Sequence, residues 1–561
     1  MNHKRWNLLP PLPKGHPLIA SGLPSLIAQL LYNRGIVAIS QVEPFFTGDR
    51  RLFLDPFLLP DMAQATARVY RAILGAEKIA IYGDFDADGI TATALLVQGL
   101  SYLTPNIVPY IPHRINEGHG LKIAALENLR KEGVSLVVTV DCGITGAMSV
   151  KRAKRLGMDI IITDHHTAPG ELPLALAVIN PKLPGSSYPF NELAGVGVAY
   201  KLLQAVLNGL GKEEILSGVT DLVALGTVAD MSPLLGENRY LVKEGLRYMN
   251  TSLRLGLKEL LTCAGVPAGN LGSENITWTI APRINTASRL DHALPSYELL
   301  TTDSVERAQE LAQWLEQKNG ERQQMTTRAA NRARQQVLEA GLAPLLVVSD
   351  EDYPSGISGL VASRLVDEFY RPSVVIREGK RVCSGSCRSI PEFNIIEALT
   401  QCRDLFLEFG GHAAAAGFVM LTHNLTHLRE RLIKLADLQL TGVDLRPRIN
   451  IDAEIQLHDL TNNAYSYIQK LQPFGQGNPP PILVSRLVKV VNCRTMGATG
   501  EHLRLRLEQN GSIWDAVAFG CGENLSEMKS PLDIVYQVEL DQWNGRSTLR
   551  LNILDFAPSV K

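Results

Sequence analysis

The 561-residue chain has little that would tie it to a secreted or membrane setting. Its seven cysteines, at positions 142, 263, 383, 387, 402, 493 and 521, are odd in number and include no CxxC pair. That pattern excludes a disulfide framework and a thiolate zinc site, and points to reduced thiols in the cytoplasm. No uninterrupted apolar run approaches the ~18 residues of a membrane helix, so a membrane is not an expected partner. The opening MNHKRWNLLPPLPKGHP is basic but lacks the apolar stretch of a signal peptide. An excess of charge of one sign is missing too. The formal net charge is −2, so any surface for nucleic acid must be local. What remains is an ordinary globular composition, 45% hydrophobic and 20% charged, at a length that predicts about three or four domains.

Against that plain background, acidic and histidine clusters stand at the ends of β-forming runs. Ile79 to Tyr82 leads into Asp84, Asp86, Asp88 and Gly89. Leu136 to Val140 leads into Asp141, and Asp159 to Thr163 into Asp164-His165-His166. Asp230 follows in Val228-Ala229-Asp230-Met231. Carboxylates at the C-terminal ends of successive strands are how an open parallel sheet builds a site. Oxygen donors with one or two imidazoles suit Mn²⁺ or Mg²⁺, and converging carboxylates repel one another unless cations hold them. Plainer readings exist. Asp84-x-Asp86-x-Asp88-Gly89 opens like an EF-hand loop, but that loop needs a Glu at its twelfth position, and here the twelfth residue is Leu95. A solvated acidic turn accounts for one cluster, not for three at three strand ends. Asp164 alone would serve as a helix N-cap with an incidental His pair.

Residues 1 to about 60, rich in Pro and Leu, read as an extension packed on the first domain. Strands over Lys78–Gly83, Ser135–Asp141, Met158–Asp164 and Ala175–Asn180 alternate with helices over Ile90–Leu103, Lys122–Glu132 and Ala147–Leu156, which predicts a parallel α/β sheet. Helices continue over 197–210 and 239–264. A helix of roughly 55 Å is expected from Ser304 to Ala340, capped by Asp303 and Glu306 and jointed at Gly320. Its Arg322, Arg328, Arg332 and Arg334 read either as a solvated face or as a track for backbone phosphates. A second α/β unit begins at Leu345–Ser349. It carries the glycine-dense spots 384–389, with Ser386 and Arg388, and 410–417, with His412. Ser, Arg and free amides suit a terminal phosphate, although glycine turns between strands are common. From about 445 the pattern turns to short strands, over 449–456, 482–491, 502–508, 513–519, 533–541 and 547–554. Asn510-Gly511 and Asn544-Gly545 signal two-residue hairpins. A small barrel of the OB type is expected, with Arg486, Lys489, Arg494, Arg504, Arg506 and Arg550 giving local basic character. Trp514, Tyr536 and Trp543 read as stacking platforms or as core.

Many of these segments together resemble one family. They are YGDFDADG (82–89), PHRINEGHG (112–120), VDCGI (140–144), TDHH (163–166), LVALGTVADMSPL (222–234), APRINTASR (281–289), SGSCRS (384–389), GGHAAAAG (410–417) and FGQGNPPP (474–481). In this order they resemble the DHH phosphoesterase superfamily, and within it the bacterial exonucleases that degrade single-stranded DNA 5′→3′. The resemblance implies an α/β protein of two lobes, DHH and DHHA1, joined by a long helix and followed by an all-β OB barrel. The expected divisions are an N-terminal extension (1–60), a DHH domain (61–300), a connector helix (301–341), a DHHA1 domain (342–442) and an OB domain (443–561). It implies an exodeoxyribonuclease that uses two Mn²⁺ or Mg²⁺ ions, releases nucleoside 5′-monophosphates and acts in DNA recombination and repair. Single-strand-binding protein and a helicase are its implied partners. Asp86, Asp88, Asp141, His165 and Asp230 are the implied metal ligands, with Asp141 bridging the ions. His166 is implied beside the scissile phosphate. Arg114, Arg283, Ser386 and Arg388 are expected to handle the DNA, Ser386 and Arg388 as a 5′-phosphate pocket, with His412 facing the groove. Tyr82 is a departure, since pyrophosphatase relatives carry a histidine there, and Asp84 is expected to substitute in the catalytic set. The alternative is a DHH phosphodiesterase for short oligonucleotides or cyclic dinucleotides, against which the terminal barrel argues. A strand-binding scaffold with a degenerate site is disfavoured because every ligand position is filled.

Overall fold

The computed structural model describes residues 4–529, 531–543 and 546–559. After a short strand β1 (Arg5–Leu8), the first lobe is a five-stranded parallel sheet. Its strands are β2 (Lys78–Gly83), β3 (Ile107–Tyr110), β4 (Val134–Val140), β5 (Asp159–Thr163) and β6 (Ala177–Ile179), in the order β3-β2-β4-β5-β6. Helices cover both faces, as near-continuous apolar strands require. Ile79 and Ile81 of β2 enter one core cluster, Ala80 and Tyr82 the other. The chain leaves β2 for β3 on one side and returns to β4 on the other. The crevice between the C-terminal ends of β2 and β4 is therefore the switch point at which such sheets bind ligands.

The helix Val305–Ala340 is 36 residues long, about 54 Å, and runs unbroken through Gly320. Its cap is Ser304, whose hydroxyl accepts from the Arg307 amide, in place of the expected Asp303. Leu311, Ala312 and Leu315 bury in the core of the first lobe, while Ala329, Ala330, Ala333 and Val337 bury in the second. Of the four arginines on the second half of the helix, two are engaged in ion pairs. Arg332 pairs with Asp350 and Asp352, and Arg334 with Glu368, bracing the helix to the second lobe. That lobe contains β7 (Leu346–Asp350), β8 (Ser373–Arg377), β9 (Val382–Arg388), β10 (Phe406–His412) and β11 (Ala415–Leu421), ordered β10-β11-β9-β8-β7.

The C-terminal unit contains β12 (Arg448–Ile451), β13 (Ala453–Glu454), β14 (Leu483–Met496), β15 (His502–Gln509), β16 (Ser512–Ala518), β17 (Leu532–Trp543) and β18 (Arg546–Pro558). The ring β14-β15-β16-β18-β17 closes where β17 pairs back onto β14, forming a five-stranded barrel. Asn510 (φ 51°) and Gly511 (φ 84°) make the expected turn between β15 and β16. Asn544-Gly545 and the side chain of Trp543 lie outside the described residues. Tyr536 is core, not platform: it is fully buried, with its hydroxyl at 2.8 Å from that of Ser485. Trp514 is half-buried against the same core.

The N-terminal extension packs differently from the expectation. Its first part lies on the barrel, with β1 pairing in parallel with β12. Leu26, Ile27, Leu30 and Leu31 of the helix Ser25–Asn33 share a core with Ile468, Leu471, Leu483 and Leu503. The apolar stripe of that helix packs against the helix Asn462–Lys470 and joins the core of the barrel. Arg239 of the first lobe, fully buried, then donates to the carbonyls of Phe45, Lys470 and Gln472, tying lobe, extension and barrel together.

Candidate metal centre and phosphate pocket

The acidic clusters converge at the switch point. Asp86 caps the helix Ala87–Ser101 by accepting from the amides of Asp88 and Gly89. That cap sets Asp84 and Asp88 on either side of it, both buried. Asp88 accepts from the amides of Gly195 (2.7 Å) and Val196 (2.8 Å), at the N-terminus of the helix Gly195–Asn208. Asp141 leaves β4 at φ 57°, a conformation that costs a non-glycine residue energy and is kept where it aims a side chain. Three groups of donor atoms lie mutually within 4.8 Å: Asp84, Asp86 and Asp141; Asp141, His165 and His166; and Asp88, His165 and Asp230. His165 Nε2 is 3.1 Å from Asp141 Oδ1 and 3.9 Å from Asp88 Oδ2. Asp230 follows the helix Thr220–Ala229 and accepts from the Ser232 hydroxyl.

Asp164, the first residue of the triplet, belongs to no donor group among the described residues. Its carboxylate accepts from the amides of Ile144, His165 and His166 and lies 2.7 Å from His166 Nδ1, so it holds the loop and fixes the His166 ring. Burial opposes a charge on His166, yet the hydrogen bond to Asp164 and the surrounding carboxylates raise its pKa to about 9. His165 goes the other way. Burial, with repulsion from His166, lowers it to about 4, leaving a neutral imidazole with a free lone pair. Burial, then mutual repulsion, pushes the carboxyls of Asp88 and Asp141 well above the usual carboxylate range. Burial raises Asp230 to about 6.

Asp84 Oδ1, Asp141 Oδ1 and His165 Nε2 are buried and make no well-aligned hydrogen bond: His165 Nε2 and Asp141 Oδ1 face each other at 3.1 Å, and Asp84 Oδ1 has only the ring nitrogen of His119, at 3.2 Å. Buried polar atoms are almost always satisfied, and charged ones are costly when they are not. Hard oxygen donors with neutral imidazole are the ligand set of Mn²⁺ or Mg²⁺, so the residues present fit such ions.

Beside the centre lies a cluster of arginines from both lobes. Arg114 stacks over Phe85 at 4.8 Å and lies in the field of Asp84 and Asp86. Arg289, in the helix Ala281–Leu290, is near enough to Arg114, Arg322 and Arg388 for repulsion to add to burial, and its pKa is pushed down to about 9. Sequence reasoning did not single out Arg289, although it stands last in APRINTASR. No local pattern marks it, because its neighbours come from three other segments. Arg283 lies near Arg322, with its guanidinium held bidentately by Glu316 and by the Thr279 carbonyl. In the second lobe, Arg388 on β9 reaches over Gly359, where a Cβ would lie 3.1 Å from Nη2. Ser386 lies on the same strand. His412, exposed, pairs in register with Ala415 and Ala415 with Arg388, so His412 and Arg388 share one row of the sheet.

A DHH family N-terminal domain model matches residues 78–227, a DHHA1 domain model residues 342–437 and a RecJ OB domain model residues 451–555. The chain is 39% identical over 540 residues to the single-stranded-DNA-specific exonuclease RecJ of Bacillus subtilis (strain 168), covering 95% of this chain and 68% of that relative. It is 32% identical over 568 residues to the protein of the same name from Dickeya dadantii (strain 3937), covering 96% of this chain and 97% of that one. Among solved structures it is similar to RecJ of Thermus thermophilus in complex with Mn²⁺, at 29% identity and a TM-score of 0.86, covering 99% of this chain and 80% of the other. The same protein with Mg²⁺ gives 28% identity and a TM-score of 0.80, covering 99% of this chain and 79% of the other. With its DHH, DHHA1 and OB units in that order, the chain belongs to the RecJ family.

Proposed function

We propose that this chain is a metal-dependent exodeoxyribonuclease that degrades single-stranded DNA from its 5′ end, releases nucleoside 5′-monophosphates and serves DNA recombination and repair. The observation that carries this reading is the convergence of donor atoms on buried Asp84, Asp88, Asp141 and His165 and half-buried Asp230, in groups that lie mutually within 4.8 Å, beside an arginine cluster drawn from two lobes. Bound there, two Mn²⁺ or Mg²⁺ ions supply an acidified water and charge neutralisation at phosphorus. Asp86, Asp88, Asp141, His165 and Asp230 are the proposed ligands, with Asp84 serving the first site in the absence of a histidine at Tyr82. His166, oriented by Asp164, donates to an oxygen of the attacked phosphate. Arg114, Arg289, Ser386 and Arg388 hold the terminal phosphate, and His412 closes the row beside them. A terminal phosphate carries more charge than an internal one, so this pocket favours an end. Arg283 supports the reading only as a brace between helices.

On the barrel, Arg494 lies directly opposite Arg504 in the β14–β15 register, with Arg506 exposed on the same face as Arg504. Like charges placed opposite one another are destabilising without an anion between them, which favours a phosphate chain over a free small substrate. Short oligonucleotides or cyclic dinucleotides are the second reading. Arg486 and Arg550 are excluded from the face, being paired with acidic neighbours. The free thiols suit a cytoplasmic setting, where single-strand-binding protein and a helicase are the proposed partners. Incubation with single-stranded and duplex DNA, with Mn²⁺ or with chelator, tests the reading. Rapid loss of the single strand only, and only with metal, is expected. Equal digestion of duplex, or digestion in chelator, would overturn it.

A further inference from the structure

A cavity of about 740 Å³ opens beside the metal centre, between the first lobe and the barrel. Its volume is in the range of ligand sites, and its position is specific. Met231 and Ser232, which directly follow Asp230, form one wall, and the Ser232 hydroxyl donates to the Asp230 carboxylate at 2.7 Å. Gln472 and Gln476 line the barrel side. The walls are tied together across the gap. The Ser273 hydroxyl donates to the Phe474 carbonyl at 2.6 Å, and the Leu234 amide to the Gln476 carbonyl at 2.8 Å. The space is thus preformed.

At its rim stands Trp278, on the π-helical turn Ile276–Ile280. It is 78% exposed, more than any other aromatic ring among the described residues. π-turns are rare and concentrate at functional sites, because the extra residue re-aims a side chain. Here the turn leaves an indole face uncovered at the mouth of a chamber whose wall includes Met231 and Ser232, next in the chain to Asp230. Glutamine amides inside offer both donors and acceptors. An aromatic face with adaptable amide edges is the chemistry that takes an unpaired nucleobase without reading its identity. A paired base has its edge engaged and its stack continuous, and does not fit.

We propose that this chamber is a base-stacking subsite, with Trp278 as its platform. It holds one or two bases of the strand lying 3′ of the dinucleotide that spans the metal centre, on the way to the barrel. The proposal rests on the exonuclease reading above and adds to it the route of the substrate.

The test uses the full chain with Trp278→Ala and Trp278→Phe. Binding of 5′-phosphorylated single strands, each with one abasic position, is measured by fluorescence anisotropy in chelator. Hydrolysis of a 5′-phosphorylated deoxydinucleotide is measured with Mn²⁺. Trp278 makes few burial contacts, so both variants should fold. Trp278→Ala should weaken binding roughly 5- to 150-fold, the equivalent of one lost stack. Trp278→Phe should keep most of the affinity. In the wild type, one abasic position should reproduce the loss, and in Trp278→Ala that same position should cost nothing further. Dinucleotide hydrolysis should be unchanged in both. Binding of Trp278→Ala within two-fold of wild type, or full additivity with every abasic position, would overturn the subsite. Failure of the wild type to hydrolyse a long 5′-phosphorylated single strand with Mn²⁺ would instead refute the exonuclease reading, while the binding arm still judges the chamber.

Discussion

Gly195 offers a way to disturb the metal centre without touching a ligand. It opens the helix Gly195–Asn208, and its amide donates to Asp88 at 2.7 Å. A Cβ built on it would lie 2.5 Å from Asp141 Cβ, 2.6 Å from Asp141 Oδ1 and 2.7 Å from Asp141 Cγ. Real Cβ atoms do not approach so closely, and Gly195 is not among the residues with positive φ. Alanine is therefore acceptable to its backbone but not to its neighbour. Either the helix slides away from Asp88, or the Asp141 carboxylate swings away from His165. Overpacking of this kind costs about 1–3 kcal/mol, and misplacing a supporting group at a metal site typically costs roughly 10- to 100-fold in metal affinity or activity. Gly195→Ala should accordingly weaken Mn²⁺ binding by that factor, measured by calorimetry on the DNA-free protein, with circular dichroism unchanged. Gly197→Ala is the control. The atoms nearest its Cβ would be those of the Leu193 side chain, from 3.3 Å, and not those of a carboxylate, so its Mn²⁺ affinity should stay near wild type. If Gly195→Ala binds Mn²⁺ as tightly as the control, Asp141 is not the ligand that the geometry makes it.

Asp141→Asn should abolish hydrolysis yet raise the melting temperature of the metal-free protein at pH 7. A carboxyl held above its unfolded pKa costs stability at pH values above that unfolded value, so the gain should shrink as pH falls towards about 4 and be absent below it, and a lowered Tm at pH 7 would count against it. His166→Asn should lose most of the rate, measured as kcat/KM on a 5′-phosphorylated single strand at saturating Mn²⁺, and a rate near wild type would remove His166 from the catalytic set. Arg388→Ala should cost roughly ten- to a hundred-fold in kcat/KM on 5′-phosphorylated ends and little on 5′-hydroxyl ends; an unchanged preference ratio would remove Arg388 from the pocket. Arg504→Ala should lower the slope of log affinity against log salt by about one, whereas Arg486→Ala, already ion-paired, should not.

The convergence of the acidic clusters was legible because each of the first three stands at the end of its own strand, where a β-forming run stops at a carboxylate. Periodicity also located the long helix, since one unbroken 36-residue pattern needs no tertiary information. Its cap was missed by one residue because Asp303 and Ser304 are equally good acceptors on paper, and only the backbone decides between them. β3 escaped because four residues containing Pro109 carry too short a signal. What the sequence concealed is what distant segments make together. The helix Ser25–Asn33 is amphipathic in isolation, but nothing in it says that its partner is a barrel more than 400 residues away. Arg289 and Arg388 are unremarkable singly and come together only when the lobes face each other. Trp278 is one aromatic among many until the π-turn turns it outward.

The central claim is that hydrolysis begins at a phosphorylated 5′ end of a single strand and depends on the ions held around Asp141. One time course decides it: the same strand labelled at its 5′ or its 3′ terminus, incubated with Mn²⁺, with products resolved by size. The account predicts that the 5′ label leaves first, as a mononucleotide, while the 3′ label passes through a descending ladder. Early release of the 3′ label, internal cuts, or the same pattern with Asp141→Asn would contradict it.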